Sequence, residues 1–110
     1  MSKSARLVFF GTEDFSAATL RRLIDDNWNV VGVVTRPDFK AGRGQKLAAP
    51  AVKTLAVRHG IEVLQPANLH KSVYEIAMLD GEFGILSAYG KLVPGSVIDI
   101  FPGGIINVHP

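Results

Sequence analysis

The chain is predicted to fold as an α/β protein, with an open, mostly parallel sheet and helices on both faces. Three observations predict this. Short apolar, β-rich runs recur along the chain as RLVFF (6–10), VVGVVT (30–35), IEVLQ (61–65), FGILSAY (83–89) and GIINV (104–108). The segments between them carry helical spacing, so strand and helix alternate, the pattern of a parallel doubly wound sheet. Runs such as Val30 to Thr35 are apolar almost without a break, as strands buried on both faces require. A Rossmann-like arrangement satisfies all three.

The elements follow in order. After the first strand, Thr12 is placed to N-cap a helix whose first turn holds Glu13 and Asp14, carboxylates favoured by the helix dipole. Ala17, Leu20, Leu23 and Ile24 recur at helical spacing and are expected to face the sheet. Pro50 suits a first helical position, Val52, Leu55 and Ala56 form the next apolar stripe, and Gly60 ends that helix after Arg58 and His59. His59 then serves as a cation near a helix C-terminus, and His70, beside Lys71 in a polar connection, is expected to be exposed. The clusters at Pro94–Gly95 and Pro102–Gly104 sit at spacings normal for βα loops. No repeat or linker divides the 110 residues, which suit one domain.

Composition removes several function classes. The chain has no cysteine, so disulfides and thiolate metal sites are excluded, and its three histidines, His59, His70 and His109, show no H-x-x-x-H spacing for zinc. No metal is expected. The N-terminal apolar run, Leu7 to Phe10, is far shorter than a signal-peptide core or the roughly 20 residues that span a bilayer, which points to a cytoplasmic protein with no membrane partner. Net charge is only +2, but Arg36, Lys40, Arg43 and Lys46 outweigh Asp38 locally, a patch suited to a polyanion.

A Rossmann-like start invites a dinucleotide, and the first turn, FFGTEDFS, argues against one. The fingerprint G-x-G-x-x-G is missing after Gly11, and Glu13 and Asp14 stand where a pyrophosphate would need free N–H groups and positive potential. Like charges about 4 Å apart repel by roughly 1 kcal/mol even in bulk water. GRGQKL has the glycines and lysine of a phosphate loop but neither its spacing nor its hydroxyl. A noncatalytic nucleotide-binding module is therefore the weaker alternative.

Two segments carry candidate chemistry. From Arg36 to Pro50 no strong periodicity appears, and Gly42 and Gly44 flank Arg43 with backbone freedom. Such a basic glycine loop suits phosphate contacts on RNA, where arginine forks onto phosphate or stacks on a base; composition alone leaves a solvated loop equally open. At the other end of the chain, Asn107 and His109 stand two apart in a strand and so face the same way, at the carboxyl end where ligands bind in open α/β sheets. Asparagine can donate to a developing oxyanion and histidine can move a proton near neutral pH, although a strand turning polar at its solvent end has the same pattern.

Taken together, VFFGTEDFS, VVTRPDFKAGRGQKL, SAYGKLVP and INVHP resemble the methionyl-tRNA formyltransferases, along essentially the whole chain. The N-x-H ending is shared with other folate-dependent formyltransferases and hydrolases, which remain the alternative. The R-P-D then G-R-G-x-K loop is what points to the tRNA enzymes. The resemblance implies formyl transfer from 10-formyltetrahydrofolate to methionyl initiator tRNA, in translation initiation. It implies catalytic roles for Asn107 and His109, folate contacts along Ala88, Tyr89, Gly90, Lys91 and Leu92, and tRNA contacts by Arg36, Lys40, Gly42, Arg43, Gly44 and Lys46. Glu13 departs from the proline common in the family's first turn. The family motif continues beyond His-Pro, and a catalytic aspartate, further strands and a C-terminal barrel follow it. Residues 1–110 are thus expected to be the N-terminal part of a folate-binding subdomain from a chain roughly three times longer, inactive alone and prone to self-association, with a monomeric parent.

Overall fold

The computed structural model describes residues 1–109, so Pro110 of the INVHP run lies outside the described residues. Seven strands occur among them: β1 (Leu7–Gly11), β2 (Val30–Val34), β3 (Phe39–Ala41), β4 (Lys46–Ala48), β5 (Glu62–Leu64), β6 (Phe83–Ser87) and β7 (Ile105–Asn107). Four helices, α1 (Asp14–Asp25), α2 (Ala51–Arg58), α3 (Val73–Ala77) and α4 (Gly95–Ile98), and one 3₁₀ turn, Leu69–Lys71, complete the described elements.

Five strands form one sheet in the order β5-β2-β1-β6-β7, and every neighbouring pair is parallel. The chain builds outward from β1 through β2 to β5, then crosses back to lay β6 and β7 on the other side. The direction of winding reverses between β1 and β6, the switch point at which open α/β sheets form ligand crevices. The predicted α/β, Rossmann-like class is the one observed.

Strand β1 is buried along its full length, and its alternating side chains feed two cores. Leu7 and Phe9 pack with Leu20 of α1 and Val52, Leu55 and Ala56 of α2. Val8 and Phe10 pack on the opposite face with Leu69, Ile76 of α3, Val97 of α4 and Phe101. Phe10 meets Tyr89 and Phe101 edge to face at 6.0 and 5.9 Å between centroids. Each such fully buried side chain contributes about 1.5–3 kcal/mol, so the two-sided core fixes register and with it the positions of the strand ends.

Three local features differ from expectation. Helix α2 starts at Ala51, so Pro50 (ψ 143°) precedes it as the capping residue and does not open it. Helix α1 starts at Asp14 with Glu13, not Thr12, as the residue before it; Glu13 remains extended (ψ 163°) and makes no side-chain cap. The reason is that the Thr12 and Glu13 N–H groups both donate to the Ala88 carbonyl across the switch point. The basic segment, expected as an irregular loop, contains an antiparallel hairpin in which Phe39 pairs with Ala48, Lys40 with Leu47 and Ala41 with Lys46. Three-residue strands with both faces largely in solvent leave no apolar alternation to read. Among the described residues, no helix is long and apolar enough to cross a membrane.

Candidate active site

The carboxyl edge of the sheet is assembled around Gly11. A Cβ on Gly11 would lie 2.7 Å from the Phe9 ring and 2.8 Å from the Ser87 carbonyl oxygen, so only glycine lets the end of β1 approach the end of β6 this closely. The Ala88 carbonyl then accepts from the N–H groups of Thr12 (3.2 Å) and Glu13 (3.4 Å), and the Ser16 hydroxyl donates to the Ser87 and Ala88 carbonyls. These bonds hold Ala88 in the left-handed region (φ 49°), an unfavourable conformation for a residue with a Cβ, and Gly90 follows at φ 89°. The first-turn N–H groups of Thr12 and Glu13 thus point at protein backbone, and the Glu13 carboxylate is paired with Arg36 at 3.3 Å. The turn is built to shape the segment after β6.

That segment forms one wall of a cavity of about 440 Å³. Phe15 of α1, Leu86 of β6, all five residues from Ala88 to Leu92, and Asn107, Val108 and His109 line it. Two groups of residues singled out from distant parts of the sequence therefore converge on one space. Asn107 lies beside Leu86 in the β6–β7 ladder, and the Val108 N–H donates to the Leu86 carbonyl at 2.8 Å, which carries the pairing past the strand end and fixes the backbone that bears Asn107 and His109. Both of those side chains are exposed, whereas Val108 packs against the α1–α2 core. The Lys91 ammonium donates to the Ala67 carbonyl at 3.1 Å, tethering the wall to the connection after β5. Tyr89 is only 3 % exposed, and its hydroxyl has no hydrogen-bond partner among the described residues; burial pushes its pKa above the ordinary 10.0.

The arrangement is a cleft with apolar side chains and a backbone-rich wall, carrying an amide donor and an imidazole at one end. Backbone edges and apolar faces suit a flat heterocycle, and the amide and imidazole suit charge developing on a carbonyl oxygen. Among the described residues, no group of three or more His, Cys, Asp or Glu is placed to hold a metal ion.

None of Arg36, Lys40, Gly42, Arg43, Gly44 and Lys46 lines this cavity. They lie at the root and along the hairpin, whose turn from Gly42 to Gln45 places Gly42, Gly44 and Gln45 at positive φ and carries Arg43 exposed at its tip. The root is held by an exposed cluster: the Asp38 carboxylate accepts from Gln65 Nε2 (2.7 Å) and Lys53 Nζ (3.0 and 3.1 Å), and Gln65 Nε2 also donates to the Arg36 carbonyl (3.2 Å). The hydrogen bond from Gln65, followed by that from Lys53, holds the Asp38 carboxyl below the ordinary aspartate value. The hairpin leaves the sheet at the end of β2, three strands from β7, about 14 Å along the edge.

Sequence reading missed Phe15, Leu86 and the Asp38–Lys53–Gln65 cluster. Phe15 and Leu86 look like core residues in any apolar pattern, and the cluster joins three elements that only the tertiary structure brings together.

A family model described as formyl transferase matches residues 5–110. The chain belongs to the formyl transferase family. Within it, the chain is 45 % identical over 106 residues to the methionyl-tRNA formyltransferase of Ruminiclostridium cellulolyticum, covering 94 % of this chain and 34 % of that protein. It is 45 % identical over 114 residues to that of Nitratidesulfovibrio vulgaris, covering 99 % of this chain and 34 % of that protein. The chain thus spans about a third of the length of the curated relatives it matches. The fold is that of glycinamide ribonucleotide transformylase 1 from Symbiobacterium toebii (TM-score 0.73, 17 % identity, 100 % of this chain and 53 % of that one) and of phosphoribosylglycinamide formyltransferase from Bacillus halodurans (0.69, 17 %, 96 % and 56 %).

Proposed function

We propose that this chain carries the formyl-donor site and the acceptor-RNA contact of a methionyl-tRNA formyltransferase, an enzyme of translation initiation that moves a formyl group from 10-formyltetrahydrofolate to the amino group of methionyl initiator tRNA. The observation that carries the reading is the convergence of Ala88 to Leu92 with Asn107 and His109 on one cavity at the carboxyl edge, in a chain 45 % identical to enzymes of that name. The exposed arginine hairpin on the same edge supports RNA as the vehicle of the amine.

In this reading the bound folate supplies an activated formyl carbon. The backbone from Ala88 to Leu92, with Phe15 and Leu86, holds the flat ring and keeps water from that side. The Asn107 amide donates to the formyl oxygen as negative charge grows on it when the methionyl amine adds, and His109 donates to the same oxygen or carries the proton given up by the amine; the tetrahedral adduct then collapses by breaking the formyl carbon's bond to the folate nitrogen, which leaves with that proton. The hairpin contacts the phosphate backbone through Arg36, Lys40, Arg43 and Lys46, with Gly42 and Gly44 giving the turn its reach, so that affinity falls as salt rises. The protein acts in the cytoplasm, where its RNA substrate is charged.

The test is formyl transfer to charged initiator tRNA by the full-length protein. Asn107→Ala and His109→Ala are each expected to lower kcat by about 10²–10³, the scale of a lost oxyanion donor. Arg43→Ala is expected to raise KM for the tRNA and leave KM for the formyl donor unchanged. Transfer to a small amine but not to charged tRNA, or equal loss in Arg43→Ala with both acceptors, would reject the RNA role.

A further inference from the structure

The hairpin and the cavity share no lining residue, yet both are gripped by one short segment. β5 ends at Leu64, whose carbonyl accepts from the Thr35 N–H at 3.0 Å and so anchors the start of the segment to the sheet. The next residue, Gln65, holds the hairpin root through the Asp38 carboxylate at 2.7 Å and the Arg36 carbonyl at 3.2 Å. Two residues later the Ala67 carbonyl accepts from Lys91 in the cavity wall at 3.1 Å. Between the two grips stands Pro66, whose ring fixes its own φ, so the grips are at most about 7 Å apart along a backbone of restricted freedom.

These contacts lie at the surface. No side chain of either core takes part in them, and exposed pairs of this kind contribute little to stability. What they do fix is geometry: Lys53 of α2 grips Asp38 from a second direction, so the hairpin root is set from two elements at once. Arg36 adds a third link, through Glu13, whose N–H bonds the Ala88 carbonyl.

We propose that Gln65 is a positioning residue that sets where the arginine hairpin stands relative to the formyl-transfer cavity, with Lys53 as its second grip on Asp38. The inference rests on the reading that the hairpin contacts the acceptor RNA. Gln65 touches no reacting atom; it acts by holding the hairpin at the distance from which a bound acceptor end reaches Asn107 and His109.

The test compares Gln65→Ala, Arg43→Ala and the double variant in the full-length protein, with KM for charged initiator tRNA, KM for the formyl donor and kcat as readouts. Gln65→Ala is expected to raise KM for the tRNA about tenfold while kcat and KM for the donor stay within about twofold. In the Arg43→Ala background the same change is expected to add clearly less than about tenfold, because a residue that acts through the hairpin has only Arg36, Lys40 and Lys46 left to position once the tip arginine is gone. An unchanged KM in Gln65→Ala, a full tenfold loss in both backgrounds, or a joint loss of kcat and both KM values would overturn the proposal. If Arg43→Ala itself leaves KM for the tRNA unchanged, the RNA reading fails first, and the proposal falls with it by a separable route.

Discussion

Tyr89 buries a hydroxyl for which the described residues offer no partner, beside the Phe10 ring and against the cavity. Such a group costs about 1–3 kcal/mol relative to a satisfied one, so Tyr89→Phe is expected to leave stability unchanged or raise it by about 1 kcal/mol in denaturant unfolding. Burial raises the folded-state pKa above the unfolded 10.0, which means the folded chain holds this proton more tightly. The associated stability is fully present below pH 10 and is lost as pH rises through the higher folded value; Tyr89→Phe should abolish that alkaline loss. Gly11 makes the opposite case. Because a methyl there would press on Ser87 backbone as well as on Phe9 and Ser16, Gly11→Ala is expected to destabilise by about 1–3 kcal/mol and to displace the wall from Ala88 onward, measurable as weaker protection of the Thr12 and Glu13 amides.

At the scale of elements, the hairpin is the one most exposed to solution conditions. The hydrogen bonds from Gln65 and Lys53 keep Asp38 ionised at acidities where an ordinary aspartate of pKa 3.8 begins to protonate. The anchoring is therefore present above that ordinary value and is lost as pH falls through the lower folded one. Protection of the amides from Lys40 to Leu47, taken relative to the intrinsic exchange rate at each pH, should fall only in that acid window, and in Asp38→Ala it should be low at neutral pH as well. The same element shows why reading the sequence succeeded in some places and not in others. Strands β1, β2 and β6 are buried and continuous, so LVFF, VVGVV and FGILS announce themselves. In β3 and β4, Phe39 and Leu47 are largely exposed, which gives the pairing no apolar face to betray it. Asn107 and His109 were legible because polar residues interrupt an apolar strand at its carboxyl end, whereas Phe15 and Gln65 gain their places only through contacts made by residues far along the chain.

For the whole molecule, the sheet has two edges among the described residues, and they differ. Each edge strand has three residues and pairs on one side only, but β5 begins with a charged residue, Glu62, whereas β7 presents Ile106, 41 % exposed. Unpaired apolar edges recruit other strands. The 110-residue chain is expected to associate with rising concentration in sedimentation, and Ile106→Lys should suppress this while changing unfolding by no more than about 0.5 kcal/mol, as for other surface sites.

The order β5-β2-β1-β6-β7 also fixes a sequence of events in time. β1 can meet β2 as soon as the first helix has been made, but its other flank waits for β6, whose Phe83 pairs with Leu7 near the start of the chain. During synthesis at about 5–20 residues per second, the half that bears the hairpin is made seconds before Ala88 exists to accept from Thr12 and Glu13. In that interval one whole side of the central strand is bare. A nascent chain stalled just short of residue 83 should therefore be a chaperone client, and the cavity at the carboxyl edge should be the last feature of this region to appear.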